Sequence, residues 1–260
     1  MIVEASTPIE TGVAKKMRIS LELVPRTETE FVQELNEVVE RFSSIDLVNL
    51  PDIVRNDIRS WQACAIAKPY INTRIPHIRA CDFSSETAPR LLDYLEQAFV
   101  NEVLIVAGDQ IPGRNCEGMS TLQMIEYFKQ WRPDLKVYAA IDPYRSSMKQ
   151  EITYCSQKQQ AGADGFFTQP LFDLRLLDMY AEQLEGSEVF WGLCPVVGDR
   201  SRNYWTKRNH VLFPKGFQAE LQWNRHFTIE VLEYVQKHQA GHVYFMPIKV
   251  PVIDYLGGII

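Results

Sequence analysis

The sequence predicts an α/β fold of one kind, a single-domain (β/α)8 barrel of the TIM type, and three observations lead there. From Ile19 onward, short apolar runs alternate with longer amphipathic stretches. The strand-like runs number eight, the count that closes an all-parallel sheet when crossover helices cover its outside. The 260 residues match the roughly 250 that such a barrel takes as one domain. A doubly wound open sheet shows the same alternation, but as a nucleotide fold it needs a glycine-rich turn after an early strand. Glu22-Leu23-Val24-Pro25-Arg26 and Pro51 stand in those turns instead.

Residues 1–16 mix small, acidic and polar types and are expected to form a flexible lead-in. The strand-like runs cover 19–24, 45–50, 75–81, 103–107, 137–141, 165–168, 189–193 and 242–246. All are short and rich in residues that suit a pleated surface. Between them, 29–42 places Phe31, Leu35, Val38, Val39 and Phe42 on one helical face. Residues 85–100 repeat the spacing with Leu91, Leu92, Leu95 and Phe99; Ser84 or Ser85 is placed to cap the helix, and Glu86 suits its positive end. Helices are also expected over 120–130, 146–161, 172–184 and 227–238, with Gly162 where a helix-ending glycine belongs. Residues 51–68 make a poorer helix, because Arg and Asp break the pattern. Residues 195–225 read as one long irregular segment carrying Arg200, Arg202, Lys207, Arg208, Lys215 and Arg225. Loops of that length in compact domains are functional or disordered.

A net charge of -6 argues against a nucleic-acid partner, which selects basic faces. No apolar run approaches the roughly 18 residues that span a membrane, and the N-terminus lacks a signal peptide's apolar region. Cys64, Cys81, Cys116, Cys155 and Cys194 are scattered without a C-x-x-C pair, the pattern of reduced thiols in a cytoplasmic protein. The Cys and His residues show no metal-ligand spacing, so no metal is expected. Neither G-x-S-x-G nor a P-loop occurs.

Chemistry in such a barrel belongs at the C-terminal ends of the strands. Glu22 lies inside the first run, and alternation puts Ser20, Glu22 and Val24 on one face, the inward one in a closed barrel. A carboxyl there either pairs with a cation or keeps its proton because burial disfavours the anion, and so serves as a general acid. Asp109 follows the fourth run after Gly108; it caps the next turn or faces the site. Gln169 ends the sixth run before Pro170, where an amide reads a heterocycle through paired contacts or bonds a neighbouring loop. A lone strand histidine such as His77 is more often structural than a ligand. Trp191, Trp205 and Trp223 suit packing better than stacking on a ligand.

Three segments carry a resemblance. Ser20-Leu21-Glu22-Leu23-Val24-Pro25-Arg26, residues 101–109, and the run from Ala161 to Asp173 that contains Thr168-Gln169-Pro170 match, in order and spacing, signatures of methylenetetrahydrofolate reductases. His242-Val243-Tyr244-Phe245-Met246 adds a C-terminal echo. The resemblance implies a flavin enzyme that reduces 5,10-methylenetetrahydrofolate to 5-methyltetrahydrofolate through FAD, with NAD(P)H as donor. It makes Glu22 the acid that opens the methylene bridge, Asp109 the carboxylate that favours the resulting cation, and Gln169 the amide that positions the folate. Lys249 falls where a basic residue meets the folate's glutamate tail. His77, Gly108, Glu151, Lys158 and Ala163 form the implied cofactor set. A homo-oligomer also accords with the resemblance.

The pattern departs from the family at three flavin positions. Ala107 replaces the arginine before Gly-Asp, Pro51-Asp52 replaces a Thr-Tyr pair, and Asp142-Pro143-Tyr144-Arg145-Ser146 replaces a Tyr-Pro-Glu-x-His run. These changes motivate an alternative, a flavin-independent folate-binding methyltransferase component serving a corrinoid or other carrier protein.

Overall fold

The computed structural model describes residues 16–109 and 117–260. Cys116 and, except for Lys16, the expected lead-in lie outside them. Eight parallel strands close in sequence order: β1 (Ile19–Glu22), β2 (Leu47–Leu50), β3 (Thr73–Arg79), β4 (Glu102–Val106), β5 (Lys136–Ile141), β6 (Gly165–Pro170), β7 (Glu188–Leu193) and β8 (His242–Phe245). β1 pairs with β2 on one side and β8 on the other. No edge is left to satisfy, which is the physical gain of closure. Among the described residues no helix is long and apolar enough to cross a membrane.

Alternation along the strands separates two apolar regions. Leu21, Val48, Ile78, Ile105 and Phe245 face the surrounding helices. Leu47, Ile75, Leu104, Tyr138, Phe167, Phe190 and Tyr244 fill the interior. Phe167 stacks on Phe190 at 4.2 Å between centroids, and Tyr138 and Tyr244 meet Phe167 edge-on at 5.0 and 5.2 Å. Each such ring stabilises the fold by about 2 kcal/mol through burial alone. The barrel is thus plugged at mid-height, and its ends are separate environments.

The outer helices follow from local signals. α1 (Glu28–Arg41) starts at Thr27, whose hydroxyl accepts from Glu30 N, and buries Phe31, Leu35 and Val38. Val39, assigned to that face by spacing, is 45% exposed. α2 is confined to Ser60–Ala67, the apolar half of its expected range. α3 (Ala88–Gln97) begins after Thr87, and neither Ser84 nor Ser85 caps it. α4 (Thr121–Trp131) and α5 (Met148–Gln160) start in capping boxes, Ser120 with Gln123 and Ser147 with Gln150. Gly162 takes φ +111° just past α5, and α6 spans Leu174–Gln183.

The expectation of an irregular 195–225 is corrected. It holds α7 (Gly198–Arg208) and the start of α8 (Leu221–His238). α7 escaped notice because its sole buried side chain is Trp205, so no apolar stripe marks it. α9 (Val252–Leu256) closes the chain after β8.

Candidate active site

Glu22, Asp109 and Gln169 arise at the tips of β1, β4 and β6. Because all strands are parallel, the three share the C-terminal rim.

Glu22 faces inward, as alternation requires. Its carboxylate accepts a hydrogen bond from the Tyr244 hydroxyl of neighbouring β8. Among the described residues no cation bonds to it. The side chain keeps some access to the mouth, yet its carboxyl is densely enclosed. Burial therefore raises its pKa from 4.5 to about 7, and the Tyr244 bond offsets only part of that rise. Beside it, Asn49 donates to Ser20 Oγ at 2.6 Å, and its Oδ1 lies 3.2 Å from His77 Nε2. Burial pushes the His77 imidazole down to about 3, so it is neutral at physiological pH. Cys194 and Met246 complete the apolar wall next to Tyr244.

Asp109 is exposed and is placed by its backbone. Arg79, at the end of β3, donates from Nη2 to the Asp109 carbonyl at 2.9 Å. Gly108 before it takes φ +89°, and a Cβ there would come within 2.5 Å of Cys81 Sγ. Only glycine threads this approach. Arg79 belongs to an ion chain across the tips of β2 and β3. Arg59 Nε bonds Asp52 Oδ1 at 2.8 Å and its Nη2 reaches Asp82 at 3.3 Å, while Arg79 Nε meets Asp82 at 3.2 Å.

Gln169 is exposed at a register shift between β6 and β7. Its neighbours are pinned on both sides. Thr168 Oγ1 accepts from Gly192 N at 2.8 Å, and Tyr144 Oη donates to Pro170 O at 3.0 Å. The exposed amide itself makes no hydrogen bond among the described residues. A cover built from 195–225 lies over the interior cluster, where Trp205, Val211, Phe213 and Phe217 pack with Phe172. Phe213 stacks on Phe217 at 4.0 Å. Trp191 is buried and donates to Ala240 O. Lys249 is exposed in the turn after β8, in the left-handed region at φ +60°.

The implied cofactor residues do not gather. His77 and Gly108 sit at the mouth. Glu151 and Lys158 are side chains of α5, 1% and 2% exposed. Glu151 is bonded to Arg145 at 3.0 Å and to Asp142 N at 3.2 Å, and Lys158 donates to Ala140 O at 2.6 Å. Ala163 lies in the α5–β6 connection, at the opposite end of the barrel from the rim. Sequence reading missed Tyr244, Asn49 and Arg79. Tyr244 carried a signal, since alternation from Phe245 already points it inward beside Glu22.

A groove of about 810 Å³ opens at that opposite end. Asp164, Asp178, Glu182, Glu185 and Glu188 line it, which suits no anionic ligand, and the strand tips that carry chemistry in these barrels are elsewhere.

The sequence matches the family model for methylenetetrahydrofolate reductase over residues 9–227. The chain belongs to the methylenetetrahydrofolate reductase family. No protein of curated function matches it. Among solved structures, an uncharacterized protein from Clostridium thermocellum that binds two copies of 5-methyl-5,6,7,8-tetrahydrofolic acid aligns with TM-score 0.64 at 13% identity, over 94% of each chain. Oxaloacetate acetylhydrolase aligns at 0.58 with 10% identity, over 90% of this chain and 76% of its own. A 2,3-dimethylmalate lyase aligns at 0.56 with 12% identity, over 93% and 75%. At these identities the structural likeness shows the barrel fold alone.

Proposed function

We propose that the C-terminal mouth binds a reduced folate and that Glu22 exchanges a proton with it while the one-carbon unit passes from 5,10-methylene- to 5-methyltetrahydrofolate. The observation that carries this reading is the enclosed Glu22 carboxyl with its pKa near 7. Near neutral pH a substantial fraction is protonated, poised to donate where a solvated glutamate could not. Protonation at the bridge nitrogen opens the ring to an iminium cation. Asp109 then faces a developing positive charge, which a preorganised carboxylate favours. Gln169, anchored through its neighbours, offers a donor and an acceptor to the pterin edge.

Cations on the β7 and β8 side suit the folate's anionic glutamate tail. Among the described residues, Arg200, Arg202, Lys207, Lys215 and Lys249 take part in no ion pair. The 5-methyltetrahydrofolic acid held by the C. thermocellum barrel is the product of this reaction. Reduction of the iminium to the methyl group takes a hydride, which in the family passes from NAD(P)H through FAD; the proposed step takes that hydride from NAD(P)H and the ring-opening proton from Glu22, whether or not a flavin relays the hydride. The test is a titration with 5-methyltetrahydrofolate followed by tryptophan fluorescence, reading Trp205 and Trp223 near the mouth. Saturable binding that weakens when Gln169 or Asp109 is replaced by alanine is expected; no binding would end this reading.

A further inference from the structure

We infer that this barrel works without bound FAD, in contrast to the family to which it belongs. FAD carries a diphosphate, and its binding calls for donors or cations that can turn toward two negative charges. The residues in the corresponding positions are already committed to one another. Lys158 and Glu151 lie 3.6 Å apart, almost wholly buried. Lys158 is further held by Ala140 O and sits 4.1 Å from the Tyr154 ring centre, and Glu151 is held by Arg145. Burial lowers the Lys158 pKa, against the pull of Glu151, and its ammonium is turned inward to the Ala140 carbonyl.

At the tip of β2, where the family places a Thr-Tyr pair, Asp52 is fully buried and bonded to Arg59. Arg59 and Arg79 share Asp82. Among the described residues this chain balances two cations with two carboxylates. The arginine expected before Gly108 is Ala107, and Ala163 lies at the far end of the barrel. Of the two members at the mouth, Gly108 packs against Cys81 and Arg79, and His77 is neutral and bonded to Asn49 beside Glu22. Among the described residues outside ion pairs, Arg200, Arg202, Lys207, Lys215 and Lys249 follow β7 and β8, while Arg26, Arg55 and Lys149 follow β1, β2 and β5. These observations hold whichever one-carbon reaction the folate site performs.

The full chain, purified from cells, is examined for the flavin's visible absorption band, then titrated with FAD and passed through gel filtration. Thermal melting is followed with FAD and, in parallel, with 5-methyltetrahydrofolate. The expected result is a colourless protein, no retained FAD, a melting temperature that FAD leaves unchanged, and a rise with the folate. Flavin that copurifies one-to-one, or added FAD that survives gel filtration, overturns the inference while leaving the folate reading intact. A protein that ignores both compounds upholds the inference and removes the folate reading instead.

Discussion

The two ends of the barrel both enclose ionisable side chains and treat them in opposite ways. At the N-terminal end Arg18 makes a two-pronged bond to Glu102 and reaches Tyr138, while Lys136, Tyr138 and His242 surround Glu188. Burial works against the Arg18 charge, but the bonds to Glu102 and the nearby acids win, and its pKa is raised. At the C-terminal end Glu22 has a tyrosine hydroxyl for a partner and no cation among the described residues. There burial wins, and the carboxyl holds its proton to about pH 7. One residue type on one inward face becomes an ion-paired floor support or a carboxyl that keeps its proton to about pH 7 according to its partners.

The largest expected effect comes from breaking the mouth. Glu22→Gln should lower turnover of the folate reaction about 10²–10⁴-fold, the range of a lost general acid, with folate affinity retained and a melting temperature no lower than that of the wild type. Loss of fold or unaltered turnover would contradict the assignment. The same variant sharpens the electrostatic contrast. The folded carboxyl titrates near 7 against 4.5 when unfolded. Its contribution to stability is therefore fully present below about pH 4.5 and is lost as pH rises through about 7, on the order of 3 kcal/mol. Urea unfolding at pH 5 and pH 8 should show that the variant lacks this slope. His77 slopes the other way: its pKa falls from 6.5 to about 3 in the fold, so its contribution is present above about pH 6.5 and lost as pH falls through about 3. The slope belonging to Glu22 is thus the difference between wild type and variant.

The matching break at the floor is Glu188→Ala. It leaves Lys136 and Arg18 short of their acid and should destabilise the protein by about 3–5 kcal/mol in urea unfolding, with folate affinity unchanged in the surviving folded protein. A loss of affinity without loss of stability would mean the floor is not merely structural. Next in size is Tyr244→Phe. Removing the hydroxyl leaves burial unopposed, so the Glu22 pKa should rise and the alkaline limb of the pH–rate profile should move up by about one unit. A shift downward would reverse the account of Glu22. The smallest effect is Lys249→Ala, expected to weaken folate binding only a few-fold and in a salt-sensitive way, as for an exposed charge pair. Equal losses at high and low salt would remove Lys249 from the tail's path.

Much of this was legible in the sequence because two periods are local. Alternation within Ser20-Leu21-Glu22 already set Glu22 inward, and the capping boxes at Ser120 and Ser147 already marked two helix starts. The motif around Gln169 located a strand tip, although not the pins from Tyr144 and Gly192 that hold it. Residues 195–225 show the opposite case. α7 buries a single tryptophan against the mouth, so its helical period left no apolar trace to read.

Glu151 and Lys158 mark the boundary most clearly. Their positions in the chain suggested cofactor contacts, and the fold turned them inward toward each other and Arg145. A sequence alone determined that eight strands close, which faces of them are apolar, and which acids stand at the rim. Only the tertiary structure decided which charges found partners, because a charge's pairing and burial depend on groups that the chain brings close from many residues away, and those neighbours set whether it supports the barrel or meets a substrate.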